Sequence, residues 1–111
     1  MGEARRGQVA VIFTSRRTAV DGSGYAAAAA AMDRLAAEQP GYRGVESVRD
    51  GDGVGITISY WADEAAATAW RDHPVHTAIR DRGRDRWYDW YSVVVCTVSR
   101  DYAWQRPPAD A

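Results

Sequence analysis

The residues best able to do chemistry in this chain crowd into Trp70-Arg71-Asp72-His73-Pro74-Val75-His76, with Arg80 four positions further on. Imidazole titrates near neutral pH, so His73 and His76 are the candidate catalytic acid–base groups. Their spacing also suits a metal on a regular helix. Pro74 interrupts the pair, however, and no third ligand stands nearby, so no metal site is expected. His76 and Arg80 share one face of a helix and together suit an anionic group such as a phenolate or a propionate. Tyr60, Trp61 and Trp70, with Phe13 from an earlier strand, offer flat walls for an aromatic ligand. Core packing is the competing role for the tryptophans. For His73 it is a cap on the C-terminal end of the preceding helix, and for His76 a partly exposed ring.

Other chemistries lack their residues. There is no Gly-rich phosphate loop, no Ser-His-Asp order and no paired carboxylates of the glycosidase type. Asp50-Gly51-Asp52-Gly53 reads as a turn rather than a calcium loop, because the rest of the ligand pattern is absent. Arg80 to Arg86 alternates in sign, the pattern of a solvated surface. Trp87-Tyr88-Asp89-Trp90-Tyr91 opens the last strand, and its alternating members are expected at a dimer seam or pocket rim.

The elements that must position these groups follow from periodicity. Gln8 to Thr14 is β-branched and nearly all apolar, as in a strand covered on both faces. An alanine-rich helix runs from Tyr25 to Glu38 with Tyr25, Ala28, Met32, Leu35 and Ala36 on one stripe, and Gln39-Pro40-Gly41 stops it. Strands at 44–49 and 54–61 are joined by the Asp-Gly turn. In the second of them Ile56, Ile58 and Tyr60 point one way and Thr57, Ser59 and Trp61 the other, one face greasy and one mildly polar. Asp63 caps a second helix that Pro74 breaks and restarts through about Arg84, and a long strand runs from Tyr88 to Tyr102.

That order, βαββαβ, predicts an α+β ferredoxin-like fold: a four-stranded antiparallel sheet with two helices on one face. The domain spans 8–104, between an N-terminal extension at 1–7 and a flexible tail at 105–111. The first and last strands are apolar at both parities, and two helices cover one face only. A second copy of the sheet is the simplest cover, so a homodimer is expected. A net charge of −1 gives no electrostatic case for nucleic acid or membrane. Cys96, within Val93-Val94-Val95-Cys96, reads as a buried inert thiol. No apolar signal region opens the chain, and a cytoplasmic location is expected.

Several segments resemble the antibiotic biosynthesis monooxygenase family, a superfamily of dimeric α/β barrels that includes small haem-degrading enzymes. They are Gln39 to Ser47, Ser59-Tyr60-Trp61, Trp70 to His76, and Gly83-Arg84-Asp85-Arg86-Trp87-Tyr88 with the strand through Tyr91. The resemblance implies a monooxygenase acting on a flat aromatic molecule between helices and sheet. No cofactor is required in that reading, and His73 or His76 serves as base. Haem-degrading members carry a first-strand asparagine, a second-helix tryptophan and a histidine ten positions later. Here Trp70 takes the tryptophan position, Arg80 stands where the histidine would, and Val9 to Thr14 holds no asparagine. Haem binding is therefore expected to be weak or differently ligated. The alternatives are an atypical haem-degrading enzyme and a non-catalytic dimer that binds small molecules.

Overall fold

The structure, a computed structural model, describes residues 4–109. The outer ends of the expected extension and tail, 1–3 and 110–111, lie outside the described residues. Four strands, β1 (Val9–Arg17), β2 (Tyr42–Arg49), β3 (Val54–Trp61) and β4 (Tyr88–Thr97), form one antiparallel sheet in the order β2-β3-β1-β4. Helix α1 (Gly22–Ala37) links β1 to β2. The β3-to-β4 connection holds α2 (Glu64–Arg71), α3 (Pro74–Arg82) and a wide turn of π-type hydrogen bonding at Gly83–Trp87. This is the ferredoxin-like α+β arrangement.

Local chemistry sets the boundaries. Asp21 adopts a left-handed conformation (φ 52°) and its carboxylate accepts from Gly24 N, so α1 begins three residues before Tyr25. The Asp63 carboxylate accepts from Ala66 N at 2.8 Å and starts α2. Pro74, which has no N–H to lose, opens α3. Gly41 sits at φ +84°, and a side chain there would run into Ala66, so this glycine lets the turn before β2 close against α2.

Strand β4 ends at Thr97 rather than Tyr102. Its only neighbour is β1, whose Val9 pairs with Thr97, and Gly7 and Gln8 exchange the last backbone bonds with Val98. Beyond that point no strand among the described residues remains to pair with, and residues 99–109 take no regular structure, with Tyr102 and Trp104 exposed.

The register sorts the side chains by parity. Val11 lies between Ser59 and Val95, and Phe13 between Thr57 and Val93, on the face under the helices. Ile12 lies between Ile58 and Val94 on the opposite face. That outer face is open in the single chain: Val48, Ile56, Trp90 and Val94 are all exposed. Cys96 belongs to it too and is exposed rather than buried, because β4 is an edge strand whose Val93, Val94 and Val95 are all exposed in the single chain. Under the helices Trp61, Trp70, Val9, Ala36 and Ala67 form the core, with Trp61 and Trp70 stacked at 5.9 Å.

Candidate functional site

Between the helices and the inner sheet face lies a cavity of about 470 Å³. The sheet supplies Val11, Phe13, Ser47, Thr57 and Ser59 as its floor, and α1 supplies Tyr25, Met32 and small alanines that leave the space open. Trp70, His76 and Arg80 come from α2 and α3. The break at Pro74 brings them together, because a straight helix would carry His76 on past the Trp70 ring. Instead their rings lie 4.8 Å apart.

His76 is the best-defined chemical group here. Its Nδ1 lies 2.9 Å from the carbonyl of Trp70, in the last turn of α2. A carbonyl can only accept, so Nδ1 carries the proton and Nε2 keeps its lone pair. Burial is the main cause holding the His76 pKa below 6.5, and the charges of Arg80 and His73 push the same way against the raising effect of the Trp70 hydrogen bond. The ring is therefore a neutral base at pH 7.

His73 plays a different part. Its Nδ1 accepts from Val75 N at 3.2 Å, so the ring caps the start of α3, while the His73 backbone N–H donates to the Trp70 carbonyl at the end of α2; the residue is absent from the cavity wall. Arg80 lines the cavity, and its Nε is buried without a hydrogen-bond partner, the nearest carboxylate being Asp81 at 3.7 Å. A buried cationic donor in that state favours an incoming acceptor.

The aromatic candidates divide. Phe13 and Trp70 line the cavity. Trp61 is fully buried beneath Trp70 and gives its indole N–H to Ser59 Oγ at 3.0 Å, so it supports the wall without forming it. Tyr60 pairs with Ala10 on the outer face, where the Arg5 guanidinium lies 3.6 Å from its ring centroid. Strand parity separates these neighbours: Ser59 and Trp61 face inward, Tyr60 outward.

Three cavity groups escape the sequence reading in part: Tyr25, Tyr88 and Tyr91. Tyr88 and Tyr91 are three apart, and strict alternation puts them on opposite faces. The register slips between Arg16 and Arg17, however: Arg16 pairs with Trp90 and Arg17 with Tyr88, leaving Asp89 as the extra residue. This bulge turns both tyrosines under the helices, against Phe13 at 5.4 and 5.3 Å. Trp87 is buried beside Tyr25, and Trp90 goes to the outer face. A shallower depression of about 350 Å³ behind Trp70, along Pro40, Gly41 and several alanines, gathers no comparable set of polar groups. Among the described residues no group of three or more His, Cys, Asp or Glu is placed to hold a metal, and no helix is long and apolar enough to cross a membrane.

The fold has known counterparts. The chain belongs to the antibiotic biosynthesis monooxygenase family, whose sequence profile matches residues 9–82. It is similar to the uncharacterized protein YqjZ of Bacillus subtilis, with 46% identity over 101 residues, covering 91% of this chain and 88% of that one. Its fold is similar to that of SnoaB, a cofactor-independent oxygenase from Streptomyces nogalater (TM-score 0.72, 15% identity, 86% of this chain and 96% of that one). It is similar also to that of Rv0793 from Mycobacterium tuberculosis (TM-score 0.75, 18% identity, 86% of this chain and 99% of that one).

Proposed function

We propose that this protein is a cofactor-free monooxygenase of a planar, electron-rich aromatic molecule held between Trp70 and the inner sheet face. The observation that carries the reading is the neutral His76, fixed as the Nδ1–H tautomer with Nε2 free beside the unpartnered Arg80 Nε. His76 Nε2 takes a proton from an acidic hydroxyl or activated C–H of the substrate, and Arg80 holds the resulting anion. The ionised ring is the reductant. It passes one electron to O2, the radical pair combines into a hydroperoxide, and loss of water leaves a new carbonyl. One oxygen atom of O2 enters the product and the other leaves as water. Trp70, Phe13 and the alanines of α1 hold the ring flat and exclude bulk water. Family membership and the fold shared with a cofactor-independent oxygenase support this reading.

The test is oxygen uptake by the metal-free protein over a panel of hydroxylated naphthalenes. Uptake above autoxidation is expected, and His76→Ala should lower it by about 10²-fold or more. Uptake that survives His76→Ala unchanged would remove the base from the scheme.

Haem is the second reading, favoured by the same free lone pair. A bound haem would take His76 Nε2 as its iron ligand and Arg80 as a propionate partner, and would supply oxygen activation. Haemin titration decides between the two. A Soret band that shifts on binding and is lost in His76→Ala favours haem, and unshifted haemin favours the cofactor-free scheme.

The working unit proposed is a homodimer, with a second copy covering the outer face through Ile12, Ile56, Val48, Val94 and Trp90. A stable pair would bury roughly 1,000 Å² or more in total.

A further inference from the structure

The chemistry above leaves unused a second set of polar groups, at the opposite end of β1 from the Trp61–Trp70 stack. Tyr25, from the first turns of α1, and Tyr88, from the start of β4, meet edge to face at 5.9 Å, and both line the cavity. Arg49 stands behind them. Its Nη2 donates to the Tyr25 hydroxyl at 3.3 Å and to Ser15 Oγ at 3.0 Å, and its Nη1 donates to the Gly53 carbonyl. The Arg17 guanidinium lies 3.7 Å from the centroid of the Tyr25 ring. Burial is the main cause raising the Tyr88 pKa, and the charge and hydrogen bond of Tyr25 add to it, so the phenol keeps its proton at neutral pH.

Proton counting then gives the direction of the site. The two phenols bring two O–H donors, and Arg49 is a donor only, so it accepts neither. Even a hydrogen bond from one hydroxyl to the other would use only one proton. The other has no acceptor among the described side chains. Two guanidiniums behind the pair favour partial negative charge in front of it and polarise the free donor.

We propose that Tyr25 and Tyr88 form an oxygen-binding subsite that donates a phenolic proton to a carbonyl oxygen of the substrate. This rests on the cavity being the aromatic-substrate site, and it makes the tyrosine pair the group that selects for a ketone on the substrate. The acidic hydroxyl lies toward His76 and Arg80, and the ketone oxygen lies against the tyrosines. Charge that develops on the ring when His76 takes a proton is then delocalised onto an oxygen that already accepts a hydrogen bond, so the pair positions the substrate and stabilises its anion.

Two probes that differ only in the ketone test it: 5-hydroxy-1-tetralone and 5,6,7,8-tetrahydro-1-naphthol. Their dissociation constants are measured with the wild type and with Tyr88→Phe and Tyr25→Phe, which keep the rings and remove one hydroxyl each. The wild type should prefer the tetralone by about tenfold. Either variant should bring the ratio to near one without weakening tetrahydronaphthol. The infrared carbonyl stretch of the bound tetralone should move to lower wavenumber in the wild type and return toward the free value in Tyr88→Phe, a change that loss of packing alone does not produce. A wild-type ratio near one, or a preference and carbonyl shift that persist in both variants, overturns the subsite and leaves the cavity reading standing. Failure of both probes to bind the wild type overturns the cavity reading and the subsite with it.

Discussion

The two faces of the sheet come from the same strands and differ in nearly every property that matters for function. On the inner face Phe13, Thr57, Ser59 and Tyr91 alternate small polar groups with rings and leave a cavity. On the outer face Ile12, Ile56, Ile58 and Val94 are aliphatic, with Ile56 and Val94 exposed and Ile12 and Ile58 half-buried in the single chain. An aliphatic face has little to offer a substrate but suits a second apolar surface. A mixed face with room above it suits a ligand that needs both stacking and hydrogen bonds. Neighbouring residues in one strand thus serve different purposes, and Tyr60 between Ser59 and Trp61 is the sharpest case.

Substitutions on each face should therefore fail in different assays. The largest effect is expected from Val94→Arg on the outer face, which would place an uncompensated charge in the proposed interface of both copies. Light scattering at micromolar concentration should show a dimer for the wild type and a monomer for the variant, with probe binding in the cavity less affected. A variant that remains dimeric would move the interface elsewhere.

On the inner face, Trp70→Ala should cost about 3–5 kcal/mol in chemical denaturation, because it removes the ring that covers Trp61. Tyr60→Phe on the outer face should leave stability within roughly 0.5 kcal/mol. Similar losses from the two would dissolve the distinction between a packed inner wall and an outer one. Arg80→Met is expected to weaken an anionic naphtholate probe by about tenfold while leaving the unfolding midpoint unchanged or raised, since its Nε makes no hydrogen bond and its ion pair with Asp81 is largely solvent-exposed. Unchanged affinity would remove Arg80 from the anion site.

The smallest effect concerns pH. Folding holds the His76 pKa below 6.5, so as pH falls the unfolded chain takes up this proton before the folded one does. The stabilisation from keeping His76 neutral is complete above pH 6.5 and is lost as pH drops through the window beneath it. Wild-type stability should decline across that window more than stability of His76→Phe; parallel curves would mean that burial does not shift this ring.

Much of this division was legible in the sequence. The alternation of Ile56, Ile58 and Tyr60 with Thr57, Ser59 and Trp61 separates the faces, because strand side chains repeat every two residues. The break at Pro74 and the cap at Asp63 were readable because each residue has a backbone preference of its own. The tyrosine end was legible only in part: a pocket rim was one expectation for the Trp87–Tyr91 cluster, but the bulge at Asp89 that puts Tyr88 and Tyr91 on one face depends on how β4 pairs with β1 and has no local signature. The role of the His73 ring was hidden for a related reason, although its backbone does close the end of α2 as expected. His73 lies between two helix ends, and which end its ring serves is a matter of three-dimensional placement.

The central claim is that His76 is a neutral base with its Nε2 lone pair free at physiological pH. Two-bond nitrogen–proton correlation spectra of histidine-labelled protein, recorded through a pH titration, test it without a substrate. The predicted result is a Nδ1–H tautomer for His76 with a midpoint below 6.5, beside a Nε2–H tautomer for His73, whose Nδ1 accepts from Val75. A His76 that titrates at or above 6.5, or that carries its neutral proton on Nε2, would contradict the account.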